Sequence, residues 1–142
     1  MKIFTIGYGG RKAPRTDFAK VLADHGVQLV CDIRFAPQRA FMSIYTYNPK
    51  KGDGPIVRLF AEFGMEYQWL KELGNPDRND PKMTKFRQLM QTAGERRIQR
   101  LQSIAREKVV CLLCAEKDYN RCHRKIVTKL LERKGWEIIH LS

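Results

Sequence analysis

The chain has 142 residues, 27 Lys+Arg against 15 Asp+Glu for a formal net charge of +12, and 43% hydrophobic residues. That is the length of one ordinary domain, residues 1–142, built around one core. No stretch approaches the roughly 20 apolar residues of a membrane helix, which excludes a membrane span. The positive balance draws polyanions such as nucleic acid over a Debye length of ~8 Å at physiological salt, or simply forms a solvated basic surface.

The amino terminus, Met1 to Gly7, runs directly into a strand pattern instead of a longer apolar segment with a small-residue cleavage site, so the expected location is the cytoplasm. Ile3 to Ile6 reads as a short buried strand ended by Gly7-Tyr8-Gly9-Gly10. Thr16 then caps a helix with apolar positions Phe18, Val21 and Leu22, stopped by Gly26. Val27 to Ile33 is a second strand, completing a βαβ unit for which a right-handed parallel crossover is expected.

Arg34 to Pro55 mixes prolines and glycines with Phe35, Phe41, Tyr45 and Tyr47, the pattern of a long loop or short irregular helices. Ile56 to Phe63 is helical, Glu66 to Leu70 a short strand, and Leu73 to Pro81 rich in turns. Met83 to Arg106 forms a long helical region with a break expected at Gly94; Phe86, Leu89, Met90, Ile98, Leu101 and Ile104 make its apolar stripe. Lys108 to Leu113 is the strongest strand, with the unbroken apolar character of one covered on both faces, so its place is central. Asn120 caps a helix through Arg133, with Ile126, Val127, Leu130 and Leu131 facing inward, and Gly135 closes it before a last strand, Trp136 to Leu141. The expected fold is α/β: a three-layer, open, mostly parallel sheet with helices on both faces, Rossmann-like or flavodoxin-like.

Several of these segments together resemble a known family. They are Thr5-Ile6-Gly7-Tyr8, Val30-Cys31-Asp32-Ile33-Arg34 with Pro37 after it, Leu70 to Gly74, Leu113-Cys114-Ala115-Glu116 followed by Cys122-His123-Arg124, and Ile139-His140-Leu141. The family is the one catalogued as domain of unknown function 488, and the likeness spans essentially the whole chain. Its most specific element is the Cys-Ala-Glu and Cys-His-Arg block. Tyr8-Gly9 stands where many members carry His and Ser. The resemblance implies an α/β fold and a shared pocket and supplies no reaction.

Ligands of open parallel sheets lie beyond the carboxyl ends of the strands. Tyr8 and Gly9 end the first strand, Asp32 and Arg34 the second, and Cys114 and Glu116 the strongest; if those strands are neighbours, all share one mouth. Gly7, Gly9 and Gly10 either present backbone N–H groups to an anion or make a tight turn, without the dinucleotide fingerprint or the Walker lysine. Arg34 can clamp a phosphate or carboxylate with Asp32 fixing its fork or acting as a base, or the two form a structural pair. Glu116 is a general acid or base if burial raises its pKa, or an ion-pair partner of Arg121 or Arg124. Cys122, expected in the first turn of its helix beside Arg121, His123 and Arg124, is the nucleophile candidate, with a buried small hydrophobe as the alternative. His123 can activate the thiol or orient a substrate, although adjacent helical residues diverge by about 100°, which makes direct Cys122–His123 contact poor geometry. Arg124 is the expected anion contact.

Other labels fail on spacing. Cys111 and Cys114 look like a Cys-x-x-Cys redox pair, but positions three apart on a strand face opposite sides. Phosphatase and rhodanese-like loops carry an Arg soon after the Cys, typically six positions on in the phosphatases, and six after Cys114 is Asn120. Cys114, Cys122, His123 and His140 lack the spacing of a zinc ribbon or finger, so no metal is expected, and no cofactor is identified. The four cysteines read as reduced thiols.

The leading expectation is a small cytosolic enzyme, a hydrolase or transferase, that binds an anionic nucleotide or nucleic-acid end in this pocket. The rival is a noncatalytic nucleic-acid-binding or interaction domain whose basic helix, with Lys85, Arg87, Arg96, Arg97, Arg100 and Arg106, tracks phosphates.

Overall fold

The computed structural model describes residues 1–9, 15–40, 42–77 and 79–141. Five strands, β1 (Lys2–Gly7), β2 (Leu29–Asp32), β3 (Glu66–Trp69), β4 (Val110–Cys114) and β5 (Glu137–His140), pair in parallel in the order β3-β2-β4-β1-β5. They alternate with α1 (Arg15–Asp24), α2 (Pro55–Ala61), α3 (Thr84–Glu107) and α4 (Arg124–Arg133). The fold is therefore α/β with an all-parallel sheet. No helix among the described residues is long and apolar enough to cross a membrane.

Side chains alternate across the strands and split the core in two. Ile3, Leu29, Cys31, Val110, Leu112 and Cys114 pack with Phe86, Met90, Ile98 and Leu101 of α3 and Val127 and Leu131 of α4. On the other face Phe4, Ile6, Val30, Cys111 and Leu113 meet Phe18 and Leu22 of α1 and Ile56, Leu59 and Phe60 of α2. Cys111 and Cys114 thus lie on opposite faces, as their spacing requires. β4 is buried at every position because it sits between β2 and β1 with helices above and below.

That order places the site. The chain steps outward from β1 through β2 to β3 with α1 and α2 on one face, then returns to insert β4 between β2 and β1 with α3 and α4 on the other. Segments leaving β1 and β2 depart toward one face, and those leaving β4 toward the opposite one. A crevice opens at their carboxyl ends.

Three helices depart from the sequence pattern. α3 runs unbroken through Gly94, because an isolated glycine costs a helix only about 1 kcal/mol against alanine and the packing of α3 on α4 outweighs it. A Cβ at Gly94 would lie 2.7 Å from Leu130 Cδ2, the movable end of a flexible side chain. Gly94→Ala is therefore expected to be nearly neutral, within about 1 kcal/mol in urea unfolding, as the gain in helix propensity offsets the displacement of Leu130. Asn120 does not cap α4. It sits in a 3-10 turn, Tyr119–Arg121, held where the Asp118 carboxylate accepts the Asn120 N–H at 3.0 Å, and α4 begins at Arg124 with His123 as its N-cap residue. Cys122 consequently precedes the helix instead of lying in its first turn. Thr16, expected to cap α1, lies within it, since the helix already includes Arg15, and the contributions of Gly10 and Phe41 fall outside the described residues.

Candidate functional site

β1 and β4 end in very close backbone approach. The Tyr8 N–H donates to Cys114 O at 3.2 Å and the Gly9 N–H to Ala115 O at 2.7 Å. A Cβ on Gly7 would stand 1.8 Å from Glu116 O, and one on Gly9 2.4 Å from Ala115 O. These glycines are needed so that the two segments can touch. The Gly9 N–H that could have met an anion is already committed to β4.

On the α1 and α2 side of the crevice lies a buried ion pair. Asp32 is fully buried and Arg34 is 6% exposed. Asp32 accepts Arg34 Nε at 2.9 Å and Nη2 at 2.6 Å, while Arg34 Nη1 donates to Tyr45 O at 2.8 Å and to the Tyr8 hydroxyl at 3.3 Å. Tyr67, across on β3, donates its hydroxyl to Asp32 Oδ2. Burial first, then the Asp32 carboxylate, pushes the Tyr67 hydroxyl above its ordinary pKa and keeps it a donor. Burial opposes the Arg34 charge, yet Asp32 more than restores it, and its pKa ends above the usual guanidinium value. Arg34 is thus a structural cation that fixes this corner, while Tyr8, stacked on Tyr45 at 4.5 Å between ring centroids, forms one wall.

The reactive half lies on the α3 and α4 side. Cys122 Sγ is 3.5 Å from His123 Nδ1, a contact that helical spacing would forbid and that exists because the pair occupies the turn before α4. His123 Nε2 is 2.6 Å from Ile33 O at the end of β2, and its ring meets Phe86 edge-on at 5.3 Å. A carbonyl can only accept, so Nε2 carries a proton, and in the neutral ring Nδ1 presents its lone pair to the Cys122 thiol. The Arg124 backbone N–H donates to the same sulfur at 3.4 Å. Burial alone would raise the Cys122 pKa, but hydrogen bonds from Cys114, His123 and the Arg124 N–H hold it well below the ordinary thiol value. The Cys114 thiol is driven the opposite way, by burial and then by Cys122. Of this pair Cys122 is the sulfur that ionises, since the imidazole and the N–H face it. His123 shows the complement: burial disfavours its charge, but Cys122 and Ile33 O raise its pKa above that of a free histidine. Both shifts favour a thiolate beside an imidazolium.

Arg124, expected at an anion, is only 1% exposed. Its guanidinium donates to Glu116 O at 2.9 Å, Lys117 O at 3.1 Å and Thr5 Oγ1 at 3.3 Å, so it secures the segment after β4. No carboxylate pairs with it among the described residues. Glu116 contributes its carbonyl to this clamp, whereas its side chain is exposed, without the burial that an acid role at neutral pH would draw on.

A cavity of about 310 Å³ joins the two halves, lined by Tyr8 and Arg34 on one side and Cys114, Cys122 and His123 on the other, with Glu116 at its edge. Arg39 and Arg121, both exposed, also line it. These are the guanidiniums open to a ligand. Arg39 lies in the turn Pro37–Arg39, inside a long loop with no periodic signal to single it out, and Tyr67 could be found only by knowing that β3 pairs with β2. Met83 also lines the cavity and has φ 55°, a left-handed conformation rare for a side chain of its size, beside Asp80, whose carboxylate accepts the Thr84 N–H at 2.7 Å to start α3.

The model of the family described as Domain of unknown function DUF488 matches residues 15–131. The chain belongs to this family. The match covers every element from α1 through β4 and most of α4, and with them Asp32, Arg34, Cys114, Cys122 and His123 of the DUF488 pocket. No curated protein and no solved structure matches the chain significantly.

Proposed function

We propose that this DUF488 domain is an enzyme, a hydrolase or transferase, in which the Cys122 thiolate attacks an electrophilic centre of a small anionic substrate, a nucleotide or a nucleic-acid end. The observation that carries the reading is the Cys122–His123 pair at 3.5 Å, with the imidazole anchored on Ile33 O at 2.6 Å and facing a cavity that holds Arg39 and Arg121. Cys122 passes its proton to Nδ1, the sulfur forms the new bond, and the Nδ1–H then protonates the departing group. Arg39 and Arg121 hold the anion at the rim, and Tyr8 walls the cavity beside Arg34. At about 310 Å³ the cavity stands at the small end of ligand pockets, suited to a mononucleotide-sized group and too small for a dinucleotide.

A thermal-shift screen with nucleotides, sugar phosphates and short oligonucleotides tests this. A ligand at about 100 times its Kd is expected to add roughly 2.7 kcal/mol to wild type, to slow alkylation of Cys122, and to do neither in Arg39→Ala/Arg121→Ala. Absence of any small-ligand effect would contradict it.

A second reading has its own observation. A wider groove of about 940 Å³ between α3 and α4 is lined by Arg87, Arg96, Lys129 and Arg133 with Glu95. Arg97 and Arg100 are not part of it, since they donate to Glu72 O at 2.7 Å and to the Glu72 carboxylate at 2.8 Å. A noncatalytic polyanion-binding role would use the groove. It calls for binding of long nucleic acid that weakens by a slope of about 0.9 per phosphate contact in log salt and is indifferent to Cys122→Ser.

A further inference from the structure

The nucleophilic chemistry above uses one thiol and gives the second no task. Cys114 ends β4, close enough to Cys122 for each thiol to shift the ionisation of the other. Both sulfurs line the same cavity. One frame holds them together: the Arg124 backbone N–H donates to Cys122 Sγ at 3.4 Å, Arg124 Nη2 donates to Glu116 O at 2.9 Å, and the Cys114 thiol lies 3.5 Å from that same carbonyl. The other cysteines are set apart. Cys111 is fully buried on the opposite face of the sheet, and Cys31 is fully buried with its thiol pushed up to about 12 by burial, which leaves it un-ionised.

We propose that Cys122 and Cys114 form a hydroperoxide-reactive dithiol, Cys122 being the sulfur that attacks the peroxide and Cys114 the thiol that resolves the product into an intramolecular disulfide. The proposal rests on the reading of Cys122 as a thiolate and adds a substrate class to it. Hydrogen peroxide is small enough to enter a cavity of about 310 Å³ and reach a sulfur whose residue is 5% exposed. The Cys122 sulfur displaces hydroxide from the O–O bond and becomes a sulfenic acid, and the His123 proton converts the hydroxide to water. The Cys114 sulfur then attacks the sulfenic sulfur, the S–OH bond breaks, and the Cys114 proton leaves with the hydroxyl as a second water. Two thiols have lost two electrons, and one peroxide has become two waters. A dithiol reductant returns the pair to its starting state. Formation of the disulfide consumes the nucleophile, so peroxide would also silence the substrate chemistry proposed above until the pair is reduced.

The test treats the full-length protein with hydrogen peroxide and maps its peptides by mass. In wild type the expected product is a disulfide joining the Cys114 and Cys122 peptides, reversed by dithiothreitol. In Cys114→Ser the expected product is a sulfenic acid on Cys122, trapped by dimedone, which wild type does not accumulate. A wild-type protein whose Cys122 goes to sulfinic acid with no bond to Cys114, or whose disulfide uses Cys31 or Cys111, overturns the proposal. Iodoacetamide on untreated wild type separates the two failures. If Cys122 alkylates readily at about pH 6.5, where an ordinary thiol is only about 1% ionised, yet forms no disulfide, the dithiol inference fails alone. If Cys122 resists both reagents, the nucleophile reading fails with it.

Discussion

Replacing Asp32 with alanine is expected to destabilise the protein by about 3–5 kcal/mol, seen as a lower urea midpoint with an unchanged slope. Asp32 has no exposure and Arg34 only 6%, so the substitution strands a guanidinium in the interior with no counterion. The carboxylate also accepts the Arg34 backbone N–H at 3.0 Å and the Tyr67 hydroxyl, and these donors lose their acceptor as well. The cost arises from the orphaned charge more than from the missing attraction. Asp32→Leu/Arg34→Met is therefore expected to recover much of the loss, because a buried pair replaced by apolar groups of similar volume is often neutral. The consequence reaches the chemistry. Ile33 lies between the two paired residues and its carbonyl anchors His123, so Asp32→Ala is also expected to slow Cys122 alkylation in the fraction that stays folded. A loss below about 1 kcal/mol, the size of a surface ion pair, would contradict the burial described for this corner.

His123→Ala is expected to slow alkylation of Cys122 by iodoacetamide about tenfold at pH ~6.5, with no slowing near pH 9.5. The magnitude follows from two opposing effects. A thiol of ordinary pKa, about 8.5, is ionised to roughly 1% at pH 6.5, so raising Cys122 toward that value removes much of the thiolate. A thiolate of lower pKa is intrinsically less nucleophilic, with a Brønsted slope of about 0.4–0.5, so roughly half of that logarithmic loss is given back, which leaves about tenfold. Ionisation wins at low pH and vanishes as an advantage above the ordinary thiol pKa. A variant that merely loosened the cavity would react faster at both pH values, which separates the electrostatic role of the imidazole from a packing role.

The strength of β4 was plain in the chain because a central strand, covered on both faces, is apolar throughout, and Gly26 and Gly135, at φ 77° and 95°, marked where α1 and α4 stop. Which strands neighbour one another was not legible. The insertion of β4 between β2 and β1 is decided by two long crossovers, and only that insertion brings Ile33 O to His123. The first turn after β4 also misled: Asp118 captures the N–H of Asn120, the helix starts later, and Cys122 and His123 can meet where helical geometry would have parted them. Arg124 reads as a ligand contact because a charged side chain is ordinarily exposed, yet it turns inward to donate to the carbonyls of Glu116 and Lys117 at the close approach of β1 and β4. Arg39 and Arg121 reach the cavity from irregular segments where neither periodicity nor capping gives a direction.

Thiolate absorbance in the ultraviolet, followed through a pH titration of reduced wild type and Cys122→Ser, tests the thiolate–imidazolium pair most directly. Wild type is expected to keep the absorbance of one thiolate well below the ordinary thiol pKa of about 8.5, and Cys122→Ser to lack it over the same range. Superimposable curves, with thiolate appearing only near or above that value, would contradict the Cys122–His123 pair as the reactive centre of this DUF488 domain.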